Sequence, residues 1–278
     1  MDSSPETGSP VARRAVVLAG RRPGEDPLAR AAGAPHRALL EIEGEPMLLR
    51  VVERLLARPG LERVLVSIDA PDLLHDIPGL AHHLETGRVE LLRSTDSPSL
   101  SVLESLDRVG LGEGPVLVTT ADHALLDDAM LDAFFSGDRP GAADLLVGLV
   151  SRTTIESRFP EARRTYLRFR DDAYSGANLF LFRTPAARGV AAFWRRVEQE
   201  RKRPWRIARA FGLTNLLLFL TRRLSLDEAM QRASRVVGAR VEAVRLPIAE
   251  AAVDVDKLDD LELVRTILAQ RRADRERP

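Results

Sequence analysis

The chain has 278 residues, 45% of them hydrophobic, enough for one large α/β domain or two small ones. Its 41 basic and 41 acidic residues cancel, so no general electrostatic attraction to nucleic acid exists. Cysteine is absent, which excludes disulfides and thiolate metal sites, and no apolar run reaches the roughly 20 residues that span a bilayer.

Met1 to Pro10 is polar and rich in Pro and Ser, without an apolar stretch. Residues 1–12 are expected to form a disordered tail rather than a signal peptide, and the protein to be cytoplasmic. Ala15 to Ala19 is a short apolar run ending at Gly20, the pattern of a buried strand. Helical spacing follows over Pro46 to Leu56, with Pro in the first turn. Val64 to Ile68 and Val89 to Leu92 are the next strands, with a helix expected between them over Leu73 to Leu84. Then come a helix over Pro98 to Val109, a strand over Pro115 to Thr119, a helix over Asp127 to Phe135 and a strand over Leu145 to Val150. This alternation predicts parallel pairing with right-handed crossovers.

Beyond residue 160 the pattern changes. Thr165 to Arg170 and Leu179 to Phe182 are predicted strands flanking a Gly-containing turn. Helices are predicted over Pro185 to Arg201, Pro204 to Leu220 and Leu226 to Val237. Arg240 to Leu246 and Ala251 to Val255 return to strand, and Asp259 to Arg272 closes as a helix. The expected fold class is α/β, a mostly parallel sheet between helices. One domain is expected over 13–273, with a helical insertion at about 185–237.

Five segments carry chemistry. After the first strand, Gly20-Arg21-Arg22-Pro23-Gly24 offers backbone N–H groups and two guanidiniums to a phosphate. An ordinary βα turn with solvated arginines accounts for it equally well. The segment contains neither G-x-G-x-x-G nor a P-loop. Asp122 follows the strand ending Thr119-Thr120, at the sheet edge where ligands of open α/β sheets bind, placed to hold Mg²⁺ or to cap a turn. Asp254 and Asp256 are expected on one face of a strand. Asp256 could also cap the last helix with Asp259 as partner. Ser175-Gly176-Ala177-Asn178 reads as an acceptor floor or a plain hairpin turn. Ser99 and Ser101, in the first turn of a helix, could bond a nucleobase or simply cap. His36 and His123 flank these motifs and are more often packing or rim residues than catalysts.

The order of these segments resembles the MobA-like NTP transferase family, of the nucleotidyltransferase group with a GT-A-type sheet. The matching stretches are Leu18-Ala19-Gly20, Pro35-His36-Arg37-Ala38-Leu39 through Ile42-Glu43-Gly44-Glu45-Pro46-Met47-Leu48, Thr119-Thr120-Ala121-Asp122, Gly176-Ala177-Asn178 and Val255-Asp256 through Leu261. They span roughly 14–183 and 240–270. The resemblance implies that Leu18, Ala19 and Gly20 line base and ribose, with Arg21 and Arg22 beside them. It implies that Arg37, standing where the family has lysine, grips phosphates. Asp122 and Asp256 are implied as the Mg²⁺ ligands, Gly176 and Asn178 as the acceptor segment, and Ser99 and Ser101 as lying near the base-reading segment. The implied activity is transfer of NMP from an NTP, CTP or GTP, to a phosphorylated small molecule or lipid head-group, with release of pyrophosphate. A GT-A glycosyltransferase is the alternative, although Asp122-His123-Ala124 lacks Asp-x-Asp. A non-catalytic nucleotide-binding regulator is the third reading.

The stretch from Arg201 to Leu220 joins Arg201, Lys202, Arg203, Arg206 and Arg209 to Trp205 and an apolar helix. Peripheral contact with an anionic membrane would use that combination. A core helix, or a helix in a homodimer, with a solvated basic start is the alternative.

Overall fold

The computed structural model describes residues 12–21, 24, 26–139, 141, 143–161, 164–200 and 212–276. The tail expected over 1–12 lies, except for Ala12, outside the described residues. Strand β1 (Arg14–Leu18) leads to a short helix α1 (Pro27–Ala31) and a small hairpin, β2 (Glu41–Ile42) and β3 (Glu45–Pro46). The hairpin turn holds Glu43 at φ 54° and Gly44 at φ 76°. Both are left-handed, as a two-residue turn of the right twist requires. Helix α2 (Met47–Ala57) follows, then β4 (Arg63–Ile68), α3 (Pro78–Glu85), β5 (Val89–Arg93), α4 (Pro98–Arg108), β6 (Val116–Thr120), α5 (Asp128–Ser136) and β7 (Leu145–Ser151). Next are α6 (Arg152–Arg158), β8 (Leu167–Arg168), β9 (Ala173–Phe182), α7 (Arg188–Glu200), α8 (Leu213–Leu220), α9 (Leu226–Val237), β10 (Val241–Leu246) and α10 (Leu258–Glu276).

The main sheet runs β10-β7-β9-β6-β1-β4-β5, with β8 added on β9. Every pairing from β6 through β5 is parallel, as is β10 with β7. Strand β9 runs antiparallel to both β6 and β7. The chain moves from β1 outward through β4 and β5, then returns to the other side of β1 as β6. That reversal leaves a crevice at the carboxyl ends of β1 and β6.

Alternation along the strands fills both faces. Ala15, Val17, Val64, Val66 and Leu117 pack with α2, α5 and α10 on one side. Val16, Leu65, Val116 and Val118 pack with α4 and α7 on the other. A sheet covered on both faces explains why these strands read as unbroken apolar runs. In α2, Leu48, Val51, Val52 and Leu55 fall on one buried stripe at helical spacing. Helix α9 starts with a full capping box, Ser225 with Glu228, and stops at Gly238 in the left-handed region.

Four sequence expectations are corrected. The helix expected over Leu73 to Leu84 splits into a 3-10 turn at Pro71–Leu74 and α3, because Pro78 cannot continue a helix from the preceding turn. Ser175 to Asn178 is not a turn; it lies inside β9, where Asn178 at φ 50° accompanies a shift in register against β7 between Val147 and Leu149. Such an irregularity bends a strand without ending it. Ala251 to Val255 is a 3-10 turn at Ala249–Ala252 followed by extended chain, not a sheet strand. The cap of α10 uses Asp260, not Asp259: its carboxylate accepts from the N–H of Asp256 and of Lys257, each at 3.2 Å.

The basic residues from Arg201 to Arg209 lie outside the described residues. In α8, Leu217 and Leu220 are largely exposed. No helix among the described residues is long and apolar enough to cross a membrane.

Candidate active site

A cavity of about 810 Å³ opens at the crevice. One wall is the loop after β1. The Ala19 N–H donates to the Ser67 carbonyl at 2.8 Å and the Ala121 N–H to the Leu18 carbonyl at 2.9 Å, so this loop is sewn between its neighbours. At Gly20 a Cβ would stand 2.5 Å from Ser94 Oγ, so only glycine lets the two walls approach this closely. Arg21 lines the cavity but is held: its backbone N–H and its Nε both donate to Asp69, at 3.1 and 2.8 Å. His36 Nδ1 accepts from the Ala38 N–H at 3.1 Å, which leaves Nε2 as the protonated nitrogen, donating to Asp69 at 2.9 Å. Burial pushes the Asp69 carboxyl up, but the bonds from His36 and Arg21 outweigh it and leave the group below its ordinary value. Buried His36 thus caps the 3-10 turn that carries Arg37 and does not itself line the cavity. Arg22 lies outside the described residues.

The facing wall is acidic. The Val255 N–H donates to the Asp122 carbonyl at 3.1 Å, which lays the 254–256 segment along the end of β6. Asp122, Asp254 and Asp256 therefore gather at one edge. The Asp122 carboxyl is pushed up to about 6, chiefly by burial, with Asp254 and Asp256 adding repulsion; the Thr120 hydroxyl, which donates to it, and Arg37 work the other way. Burial and Asp256 likewise raise Asp254, against Arg164. Arg164 donates to Asp254 at 2.6 Å and pairs with Asp260 at 3.2 Å. Arg37 donates to the Val255 carbonyl and to Asp256, both at 2.6 Å. The Asp256 side chain is 62% exposed, so its pair with Arg37 is screened and can open at small cost. His123 is fully buried, and burial pulls its pKa down to about 4, so it is neutral and faces no substrate.

Leu18, Ala19, Gly20, Arg21, Arg37, Ser101, Asp122 and Asp256 all line this one cavity. Ser99 does not. It is completely buried, and its hydroxyl donates to Glu198 on α7. Gly176 and Asn178 also lie off the wall, within β9, with Gly176 opposite Leu149 of β7.

Sequence reasoning missed Ser67, Ser94, Thr95, Asp96 and Lys257, which line the same cavity. The hydroxyls of Ser67 and Ser94 are buried without a protein partner. Ser67 was findable: it is a lone polar residue in Val64-Leu65-Val66-Ser67-Ile68, where both faces are covered.

The donor set fits a hard cation. Buried Asp122 and exposed Asp256 offer carboxylate oxygens, and the repulsion between them favours a counter-ion. Among the described residues no three His, Cys, Asp or Glu side chains gather closely enough to enclose an ion. Mg²⁺ is commonly held by one or two carboxylates together with substrate phosphates and water.

The family model described as MobA-like NTP transferase domain matches residues 15–196. A solved structure of a hypothetical transferase from Thermus thermophilus is 32% identical, with TM-score 0.71, over 90% of this chain and 100% of that one. A CMP:2-keto-3-deoxy-manno-octonic acid synthetase complexed with CTP is 17% identical, with TM-score 0.54, over 94% and 100%. A 4-diphosphocytidyl-2C-methyl-D-erythritol synthase from Anaerococcus prevotii is 10% identical, with TM-score 0.57, over 92% and 95%. These last two share the fold. One polypeptide of the A-type ATP synthase from Nitrosopumilus maritimus is 28% identical over 102 residues, and a V-type ATP synthase beta chain from Anaeromyxobacter is 33% identical over 115. The chain spans only 22% and 25% of the length of those curated relatives.

Proposed function

Because the chain belongs to the MobA-like NTP transferase family, we propose that it transfers an NMP unit from an NTP to a phosphorylated acceptor, with Asp122 and Asp256 as its Mg²⁺ ligands. The observation that carries this reading is the meeting of Asp122, Asp256 and Arg37 on the rim of one cavity at the sheet's reversal point. A divalent cation bound there supplies positive charge to the phosphate oxygens and the leaving group.

The chain's own residues do the rest. The loop from Leu18 to Gly20 and the segment from Ser94 to Ser101 form the side walls for base and ribose. Arg37 can turn from exposed Asp256 to the triphosphate, where its planar fork suits phosphate oxygens. Lys257, its ammonium 3.7 Å from Asp259, lines the same cavity and adds a second cation. An oxygen of the acceptor phosphate attacks the α-phosphorus in line, the bond to the bridging oxygen breaks, and pyrophosphate leaves. That nucleophile is already ionised at neutral pH, so no general base is required. Neutral, buried His123 and capping His36 agree with that. Catalysis is then mostly positioning and charge neutralisation.

Pyrophosphate release from each NTP with Mg²⁺, in the presence of a pool of phosphorylated metabolites, tests this. Release of NDP from a nucleotide-sugar would point to glycosyl transfer. Binding without turnover would point to a regulator.

Arg37 gives a narrower test. Arg37→Ala is expected to weaken NTP binding roughly tenfold, the scale of one hydrogen bond to a charged group, and Arg37→Lys to recover part of it. Calorimetric titration of NTP reads this directly. Unchanged affinity in Arg37→Ala would remove Arg37 from the phosphate site.

A further inference from the structure

We propose that Glu198, on a helix that runs past the end of the family-matched segment, is a positioning residue that fixes the nucleotide wall from behind. The inference rests on the nucleotide-transfer reading above, which assigns Ser94 to Ser101 to the base side of the cavity.

Glu198 stands in α7, just past the end of the match at 196. Its Oε2 accepts from the Ser97 hydroxyl at 3.1 Å, from the Ser99 hydroxyl at 2.5 Å and from the Ser99 N–H at 3.4 Å. All three donors belong to the start of α4, where a carboxylate also meets the positive end of the helix dipole. Ser97 in turn caps α4, accepting from the Leu100 N–H at 3.2 Å.

The bonds continue to the cavity surface. The Thr95 hydroxyl donates to the Ser97 carbonyl at 2.8 Å and accepts from the Ser97 N–H at 3.2 Å. The Thr95 N–H donates to Ser101 Oγ at 2.9 Å. Thr95, Asp96, Pro98 and Ser101 line the cavity; Glu198 does not. One carboxylate therefore holds the back of a polar turn whose front faces the nucleotide. Without it the buried Ser99 hydroxyl keeps only Ser97 Oγ, 3.0 Å away, as a side-chain partner, and the turn is held only by bonds within itself.

The acid edge with Asp122 and Asp256 is built from other elements, so Glu198 should act on nucleotide affinity and not on the chemical step. A loss of affinity with kcat retained is the mark of weakened uniform binding.

Equilibrium binding of each NTP to the full chain comes first, without acceptor. Wild-type protein that binds none overturns the nucleotide-transfer reading, and this inference with it. Given wild-type binding, Glu198→Ala is expected to raise the NTP Kd and KM about tenfold, with kcat and acceptor KM within about twofold. Glu198→Gln keeps the shape and one oxygen acceptor. It is expected to fold as wild type and to shift Kd about threefold, and it carries the test if the alanine variant fails to fold. An NTP Kd equal to wild type in either folded variant overturns the proposal and leaves the reading standing. So does a fall in kcat at unchanged KM.

Discussion

Asp122→Asn is expected to abolish most turnover while making the protein more stable. The activity loss is expected at roughly 10³-fold, the scale of removing one preorganised electrostatic contact. The stability gain follows from the position of the carboxyl. A group moved from 3.8 up to about 6 withholds roughly 3 kcal/mol at neutral pH, at about 1.4 kcal/mol per unit. The sign is that of a raised acid. Below its unfolded value both states are protonated and nothing is lost. The penalty grows as pH rises from 3.8 to about 6 and is complete above that. Asparagine keeps an acceptor for the Thr120 hydroxyl and carries no charge.

Its neighbour has the opposite slope. His123, pulled from 6.5 down to about 4, opposes folding increasingly as pH falls through that window. In the wild type the two slopes offset each other between about 6 and 4. The substitution removes one of them, so the variant should be the more acid-sensitive protein. Urea unfolding in the presence of chelator, at pH 7.5 and 4.5, reads both effects. The variant should be ahead by roughly 3 kcal/mol at the higher pH and by only about 1 at the lower. An offset independent of pH would contradict the account.

Arg164→Ala should have the largest structural cost. Its guanidinium is only 10% exposed and bridges Asp254 and Asp260, the latter 9% exposed. Removing it leaves two acids at a buried edge without their cation, a loss of about 3–5 kcal/mol for a pair of this kind. Asp254 is already raised by burial and by Asp256 with Arg164 in place. Without Arg164 it should rise further, so the stability deficit should narrow as pH is lowered and Asp254 takes up a proton. Adding Asp254→Asn should recover part of the loss at pH 7. Turnover should fall too, because Asp260 holds the N–H groups of Asp256 and Lys257 and so sets the start of α10. A melting curve unchanged by Arg164→Ala would show that the ion pairs are solvent-screened and incidental.

The parallel half of the fold was legible because burial on both faces makes strands such as Val64 to Ile68 continuous apolar runs. The antiparallel course of β9 was not. Its Gly176 and Asn178 imitate a turn, and only pairing with β6 and β7 reveals a strand running through them. The site was legible where a residue sits at a strand end, as with Asp122 and the loop after β1. Arg164 and Glu198 left no local trace. Arg164 acts on Asp254 across 90 positions of chain and Glu198 on Ser99 across 99, and neither pair carries a motif. Ser99 and Ser101 looked alike in sequence. Their different places around the helix decide that Ser101 faces the cavity and Ser99 faces α7.

The contact between Gly20 and Ser94 ties two distant positions into one unit of change. The space a Cβ would need at 20 is already filled by the hydroxyl of residue 94. A larger residue at 20 has room only if 94 is reduced at the same time, and a bulkier residue at 94 presses on a position that can shrink no further. In a library randomised at both sites, survivors should therefore trade volume between them, and recombination that separates the two halves of the crevice should yield mismatched, poorly binding chimaeras even when each parent is active.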